Sequence, residues 1–184
     1  YQNLCEAFDG QFIAFTPEAN LCLNPFEFIR NWEEEADIVT ALITAMAAPT
    51  EPLGDFRTAG LKRVLKDLWD TQGAAMTVDA VAQALLAEAD ARLRDVGDQL
   101  FPFTLAGEYG RFFTGANSIR FDSNLVVLEL EELKGRKHLQ QVILLQLIYQ
   151  VQQAMYLGER DIRKLVLIDE AWDLLTQGDV AKFI

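Results

Sequence analysis

The residues best suited to chemistry are two adjacent carboxylates near the end of the sequence, Asp169 and Glu170. They follow four apolar residues, 165–168, whose composition is typical of a buried parallel strand. Ligands of open α/β sheets bind at the carboxyl ends of the strands, where a carboxylate can hold Mg²⁺ through water beside nucleotide phosphates. A second carboxylate one residue later points in another direction and can orient or deprotonate an attacking water. This spacing predicts a nucleotide site with Asp169 near the metal and Glu170 near the water.

The alternative is that Asp169 and Glu170 only begin a helix, where acidic side chains suit the helix dipole. The preceding elements favour the nucleotide site. An apolar strand at Leu125–Leu130, a long helix at Lys137–Leu157 and a buried strand at Lys164–Ile168 form a βαβ unit, which should be right-handed. We therefore interpret the acid pair as a Walker B motif with a catalytic glutamate, as in RecA-like ATPases.

A phosphate-binding loop should accompany that motif, but none of the eleven glycines is followed by Lys and then Ser or Thr. The nearest glycine pair, Gly107 and Gly110, lacks the lysine that would reach the β and γ phosphates. The sequence also begins at Tyr1 and not at Met. We expect the Walker A loop to lie upstream of Tyr1, and the chain alone to be inactive as an ATPase.

The two ends of the sequence have α/β patterns. A helix is predicted at Tyr1–Phe8, with Leu4, Cys5 and Phe8 on one face and Gly10 ending it. Short strands are predicted at Gln11–Phe15 and Ser118–Phe121. The strand at Leu125–Leu130 is apolar enough to be central in a sheet.

The middle of the sequence is helical. Of the 22 alanines, 15 lie between Ala36 and Ala106, and this span contains no convincing strand. The first two predicted helices are Glu27–Ala47 and Phe56–Trp69. Thr77 is predicted to cap a third helix, whose buried stripe is Val78, Val81, Leu85 and Leu93. A short fourth helix is predicted at Asp98–Gly107, interrupted by Pro102. The predicted domains are therefore 1–26 with 107–184 as one core, and 27–106 as an all-helical insertion.

Four segments in this order resemble a known family. They are Phe12–Phe26 (FIAFTPEANLCLNPF), Tyr109–Gly115 (YGRFFTG), Leu125–Leu133 (LVVLELEEL) and Leu165–Leu175 (LVLIDEAWDLL). Together they resemble the C-terminal ATPase domain of the TraC-type ATPases of type IV secretion and conjugation, and the last segment is the most specific.

The resemblance implies an α/β fold, a partial RecA-like P-loop NTPase core with an all-helical insertion subdomain. It also implies a cytoplasmic motor, peripheral at the bacterial inner membrane and often hexameric, which uses ATP and Mg²⁺ to power pilus assembly and substrate transfer with other secretion subunits. By motif match, Asp169 takes the magnesium role and Glu170 the water-activating role.

The charge and residue composition of the chain limit the classes of partner that it can bind. The net charge of −12 argues against direct nucleic-acid binding and against docking on an anionic membrane. Two cysteines, Cys5 and Cys22, offer no disulfide framework and are interpreted as small buried residues. The most apolar stretch, Leu139–Tyr156, contains six glutamines, so we interpret it as a helix of a soluble protein and not as a membrane span.

Other polar and aromatic residues are interpreted as structural. Arg111 and Arg120 could approach a neighbouring subunit's nucleotide in a ring, but solvated or ion-paired arginines are the simpler interpretation. His138 is interpreted as a surface residue. The basic cluster 134–137 has too few residues to form a DNA-binding surface. The three tryptophans are expected to pack in the interior: Trp32, Trp69 and Trp172.

Three hypotheses for function remain open from the sequence. The first is a part of a TraC-like secretion ATPase. The second is a piece of a related DNA-pumping ring ATPase, which shares the RecA-like core. The third is a non-catalytic protein-interaction module, in which the acid pair only begins a helix.

Overall fold

The computed structural model describes residues 1–16, 19–121, 123–157, 165–167 and 169. The regular elements of these residues are, in chain order, α1 (Gln2–Ala7), β1 (Gln11–Ala14), α2 (Trp32–Ala47), α3 (Gly54–Gln72), α4 (Val78–Leu86), α5 (Ala91–Gln99), β2 (Val126–Glu129) and α6 (Lys137–Leu157).

The chain divides into two compact units. Tyr1–Ala19 and Arg120–Ile184 form one unit, which we call the sheet unit, and Asn20–Ile119 forms the other, which we call the helical unit. The helical segment 27–106 that the sequence predicts lies inside the helical unit. Its role as an insertion into an ATPase core stays a prediction.

The sheet unit contains β1 and β2, which pair in parallel with Gln11 opposite Val126 and Ala14 opposite Glu129. Backbone hydrogen bonds extend the pairing at both ends, because Gln11 N–H donates to the Leu125 carbonyl and Phe15 N–H donates to the Glu129 carbonyl. Both strands occur where the sequence predicts them. β2 is half-buried along its whole length, and among the described residues its only strand neighbour is β1.

Helix α1 buries Cys5, whereas Leu4 is 46% and Phe8 67% exposed, so Cys5 is the buried member of the predicted apolar face. The physical reason is length: a six-residue helix has fewer than two turns, and here Cys5 is its buried position. The chain leaves the helix through Asp9, whose φ of 50° is left-handed, before Gly10. Gly10 ends the helix as predicted, because its N–H donates to the Cys5 carbonyl at 2.7 Å, and a Cβ there would also lie 2.9 Å from the Leu125 carbonyl oxygen beside the strands.

Helix α6 has the predicted bounds and is the main buried element of the sheet unit. Its buried apolar residues are Leu139, Val142, Ile143, Leu144, Leu145, Leu147 and Tyr149. Gln146 and Gln150 are buried with them. In the described part of the chain, no helix is both long enough and apolar enough to cross a membrane.

Two predicted strands are absent where they are described; residues 164 and 168, the ends of the strand predicted at Lys164–Ile168, lie outside the described residues. The described residues 165–167 are not in a strand, and Leu165, Val166 and Leu167 are 87%, 49% and 79% exposed. A strand is buried only when neighbouring strands and covering layers surround it, and this run pairs with neither described strand. Residues 118–121 also lack strand structure, because the Ser118 hydroxyl accepts the hydrogen bond from Cys22 N–H that a ladder would give to a backbone carbonyl.

Three helices of the helical unit begin at side-chain caps, whereas α3, which follows Leu53, has none. Asn31, Thr77 and Asp90 accept hydrogen bonds from the backbone N–H of Glu33, Ala80 and Arg92, respectively, in the first turns of α2, α4 and α5. These caps confirm the predicted role of Thr77 and correct two predicted bounds. The first helix starts at Trp32 and not Glu27, and the predicted helix through Leu93 is two helices because Asp90 caps a new one. In place of the short helix predicted at Asp98–Gly107, α5 ends at Gln99 and a single 3₁₀ turn at Phe101–Phe103 follows.

Close approach of helices defines the core of this unit. A Cβ on Gly60 of α3 would lie 2.4 Å from a methyl carbon of Leu93 in α5. A Cβ on Gly97 of α5 would lie 2.9 Å from the Ala82 carbonyl oxygen in α4. Leu61, Leu65 and Leu85 are fully buried between these helices. Glycine therefore permits a tighter helix packing than any side chain would.

Candidate functional site

Asp169 is described, and it lies in an exposed turn. Its Oδ2 atom accepts a hydrogen bond from the hydroxyl of Tyr1, at the other end of the chain and in the same unit. Glu170 lies outside the described residues, as do Trp172 and the helix predicted from Ala171 onward. The structure therefore places the proposed metal-binding carboxylate, and its partner Tyr1 is a residue that the sequence analysis did not single out.

Sequence reasoning had no signal for the Tyr1–Asp169 contact, because the two residues are 168 positions apart. An O–H donor on a carboxylate oxygen restricts the rotation of the carboxylate. Tyr1 is such a donor to Asp169.

The described residues do not build a complete metal site by themselves. Within them, no group of three or more His, Cys, Asp or Glu side chains could hold a metal ion. A single exposed carboxylate still fits Mg²⁺ chemistry, since Mg²⁺ keeps several waters and takes one or two carboxylates together with substrate phosphates. Asp169 fits that part of a nucleotide site, and the phosphate-binding part is absent from the sequence.

The glycine pair at 107 and 110 is structural and not a phosphate loop. A Cβ on Gly107 would lie 2.1 Å from the Phe101 carbonyl oxygen, and a Cβ on Gly110 would lie 1.9 Å from the Thr104 carbonyl oxygen. The Gly107 N–H also donates to Thr104 O at 2.8 Å, and Tyr109 N–H donates to Pro102 O at 2.7 Å. These N–H groups bind the loop's own carbonyls, so they do not form an anion cradle.

The positively charged candidates are distributed over both units. Arg111, in the helical unit, is exposed with its guanidinium carbon 4.4 Å from the Phe112 ring centroid. Arg120 is exposed and His138 is half-buried, both in the sheet unit. In the basic cluster 134–137, Lys134 pairs with Glu131 at 3.8 Å.

The aromatic and sulfur side chains that are described have packing roles. Trp32 and Trp69 stack on each other, with ring centroids 5.4 Å apart and planes 20° apart, which supports the prediction that they pack in the helical unit. Cys5 is buried, and Cys22 is half-buried. Burial, with a smaller contribution from the charge of Glu27, raises the pKa of the Cys22 thiol, which makes it a poor nucleophile at neutral pH.

The comparisons with known proteins agree with the motifs. Residues 75–184, more than half of the chain, match the family described as the TraG P-loop domain. The chain is 29% identical to Protein TraC of Escherichia coli (strain K12) over 187 aligned residues, which include 95% of this chain and 21% of TraC.

The fold comparison gives a match to a solved structure. The whole chain superimposes on 54% of the solved chain of VirB4 of Thermoanaerobacter pseudethanolicus with a TM-score of 0.76 and 15% sequence identity. At this identity the match establishes the fold, which is a partial α/β P-loop core, mostly helical with a small parallel sheet. The chain thus spans about a fifth of TraC and about half of the VirB4 chain.

The segment LVLIDE lies within the residues that match the P-loop family, so the most specific motif and the family match coincide. The resemblance to TraC-type ATPases is confirmed by these comparisons. The chain belongs to the TraG P-loop domain family and is similar to TraC and VirB4.

Proposed function

We propose that this chain is part of the motor domain of a type IV secretion ATPase. The observation that carries the proposal is the position of Asp169 and Glu170 within the segment that matches the P-loop family. The chain covers only part of its relatives, so the activity belongs to a longer protein that contains a phosphate loop. In that protein ATP hydrolysis would power pilus assembly and the transfer of DNA or protein substrates.

The proposed roles of the two acids follow from carboxylate chemistry. Asp169, held by Tyr1, would bind waters of a magnesium ion, and that ion supplies neutralising charge at the nucleotide phosphates. Glu170 would accept a proton from the attacking water and orient it. The assignment of Glu170 rests on its place in the motif, because it lies outside the described residues.

The proposed setting follows from the family. We place the longer protein at the cytoplasmic side of the bacterial inner membrane, as a hexamer in contact with other secretion subunits. The net charge of −12 supports protein partners for this region, and any contact with DNA would be made elsewhere in the assembly.

The three hypotheses from the sequence differ in whether DNA raises ATP turnover and in whether the two acids are needed. A DNA-pumping ring ATPase also needs Asp169 and Glu170, but its turnover should rise when duplex DNA is added. A non-catalytic module needs neither acid. The net charge of −12 and the TraC match favour the secretion ATPase over the DNA pump.

Glu170→Gln in the longer protein tests the proposal. We expect ATP turnover to fall by a factor on the order of 10² or more, with nucleotide binding retained, because the amide cannot accept the proton. Turnover is measured by phosphate release and binding by fluorescence of a labelled ATP. Glu132→Gln, an exposed acid of the same unit, is the matched control and should leave turnover unchanged.

An unchanged rate for Glu170→Gln would remove this residue from the mechanism. A normal rate for Asp169→Asn as well would leave the non-catalytic module as the better interpretation.

The 184-residue chain by itself should hydrolyse no ATP, because its sequence lacks G-x-x-x-x-G-K-[ST] and therefore the main phosphate-binding element. Phosphate release by the purified chain is the measurement. Turnover above background that is abolished by Glu170→Gln would contradict this prediction.

A further inference from the structure

The hydrogen bond between Tyr1 and Asp169 joins the N-cap residue of α1 to the candidate metal-binding carboxylate. The Tyr1 hydroxyl donates to Oδ2 of Asp169, and both side chains are exposed. On an exposed surface the hydroxyl and the carboxylate can each bond to water instead, so such a bond contributes little to the free energy of unfolding. Its effect is geometric, because it restricts the directions that the carboxylate can face.

The backbone of Tyr1 is held by the first turn of α1. Its carbonyl oxygen accepts hydrogen bonds from the Leu4 N–H at 2.9 Å and from the Cys5 N–H at 3.1 Å. These bonds fix the N-cap carbonyl relative to the helix that follows it. The side chain that reaches Asp169 therefore starts from an ordered backbone position.

Helix α1 is in turn attached to the parallel strand pair. Its buried residue, Cys5, is 3% exposed, and its thiol donates to the Gln11 carbonyl oxygen at 3.7 Å. The Cys5 carbonyl accepts from the Gly10 N–H at 2.7 Å, and the Gln11 N–H donates to the Leu125 carbonyl at 2.8 Å. A continuous series of hydrogen bonds thus connects the strands to α1 and α1 to Tyr1.

Asp169 itself lies in a less regular setting. It follows residues 165–167, which are exposed and pair with neither described strand. The described strand pair therefore does not set the direction of its carboxylate, whereas the bond from Tyr1 restricts it. A carboxylate has two oxygens with about four acceptor positions, so one hydrogen bond does not exhaust its capacity to bind the water of a metal ion.

We propose that Tyr1 is a positioning residue for the magnesium role of Asp169. Its hydroxyl holds Oδ2 and so limits the directions in which the carboxylate can bind the waters of the ion. The inference rests on the proposed function, since it needs Asp169 to bind those waters. Side chains that bind metals are commonly held by a hydrogen bond from a neighbouring group, and losing that neighbour weakens metal binding by about ten- to a hundredfold.

The Tyr1 ring offers a different role, which the test must separate from that of the hydroxyl. Tyr1 is 64% exposed, and an exposed aromatic ring can stack on a nucleotide base. Tyr1→Phe removes the hydroxyl and keeps the ring, whereas Tyr1→Ala removes both. The positioning role requires that Tyr1→Phe alone be sufficient to weaken metal binding.

The test measures Mn²⁺ binding to the longer protein, because Mn²⁺ shares the oxygen ligands and octahedral geometry of Mg²⁺. Free Mn²⁺ is followed by electron paramagnetic resonance, with a non-hydrolysable ATP analogue present and the protein in excess over it. We expect Tyr1→Phe to raise the Kd for Mn²⁺ about tenfold and to leave the affinity for labelled ATP without metal unchanged. Tyr109→Phe, which removes a phenolic hydroxyl from the helical unit, is the matched control and should leave both unchanged.

A double-mutant cycle shows whether Tyr1 acts through Asp169. Once Asp169→Ala has removed the acceptor, adding Tyr1→Phe should change the Kd for Mn²⁺ by less than about twofold, whereas a merely structural effect would add in full. Thermal unfolding of each variant checks that the fold is intact.

The possible failures are distinguishable. If Asp169→Ala weakens Mn²⁺ binding but Tyr1→Phe does not, the positioning role is overturned and the proposed function stands. A loss with Tyr1→Ala and not with Tyr1→Phe would also overturn it, because the ring would then be responsible. If Asp169→Ala leaves Mn²⁺ binding unchanged, the metal role of Asp169 fails, and the positioning role fails with it.

Discussion

The helical unit and the sheet unit are built by contacts of different range. In the helical unit, the caps at Asn31, Thr77 and Asp90 bond to backbone groups two or three residues away. In the sheet unit, the strand pair joins Gln11 to Val126, and all residues of the helical unit lie between these two positions in the sequence. Local contacts form with little loss of chain entropy, whereas the strand pairing requires a long loop to close first.

The two units also differ in what they expose. The helical unit surrounds its buried leucines with closely packed helices. The sheet unit carries Asp169 in an exposed turn, preceded by three exposed apolar residues, 165–167. Among the described residues, the leucines of the helical unit are tightly packed, whereas Asp169 and the residues 165–167 before it are exposed. The following predictions test this contrast, from the largest expected effect to the smallest.

Gly110→Ala should be the most damaging of these changes. Its Cβ would lie 1.9 Å from the Thr104 carbonyl oxygen, and the atoms it would meet are backbone atoms and not the end of a flexible side chain. We expect the free energy of unfolding to fall by about 3 kcal/mol or more, as measured by urea denaturation followed by circular dichroism.

Gly135→Ala is the matched control in the sheet unit, because nothing lies within 4 Å of the Cβ it would add. It should change the free energy of unfolding by no more than about 0.5 kcal/mol. Equal effects of the two substitutions would show that the backbone contact at Gly110 is looser than the structure indicates.

Leu61→Ala and Leu167→Ala compare a buried with an exposed leucine. Leu61 is fully buried in the helical unit, so its truncation should lower the free energy of unfolding by about 3 kcal/mol. Leu167 is 79% exposed, and the same truncation should cost less than about 0.5 kcal/mol. Both are measured by urea denaturation. If Leu167→Ala lowered the free energy of unfolding by about 2 kcal/mol or more, Leu167 would be buried, as in the strand that the sequence predicts.

The smallest effect concerns the cap of α5. Hydrogen bonds from the Arg92 side chain and then its backbone N–H lower the pKa of Asp90 to about 2, well below the usual value for Asp. A lowered folded-state pKa stabilises the protein above the unfolded-state pKa, and this stabilisation is lost as the pH falls towards about 2. Asp90→Asn should therefore reduce the loss of stability between about pH 4 and pH 2.

Unfolding measured as a function of pH checks this prediction. Arg92→Gln removes the main cause of the pKa shift and should reduce the same loss of stability, while Asp90 still caps the helix. A pH profile identical to that of the parent chain in both variants would show that the pair does not contribute in solution.

The sequence predicted some elements well because their signals are local. Helix α6 has its predicted bounds, since a long apolar run without Pro or Gly leaves few other conformations. Thr77 caps α4 as predicted, because the hydroxyl needs only the N–H three residues later. The helix predicted through Leu93 was wrong for a related reason: Asp90 is a stronger helix start than the apolar spacing suggested.

The errors arise where the outcome depends on distant residues. Leu165–Leu167 have a strand-like composition, but a strand needs a neighbour, and composition does not reveal whether one is in place. The same limitation applies to the strand predicted at Ser118–Phe121, because the Ser118 hydroxyl bonds to Cys22, which is far away in the sequence. Of the candidate site, Asp169 was predictable from its motif, whereas Tyr1 was not.

The sequence by itself determined the family, the acid pair at 169 and 170, and the absence of a phosphate loop from these residues, because each is a property of residue type and short spacing. Only the tertiary structure decided that Gly107 and Gly110 serve backbone packing and that Tyr1 donates a hydrogen bond to Asp169. These features depend on which distant backbone atoms come within a few ångströms of one another, and the spacing of residues along the chain does not contain that information.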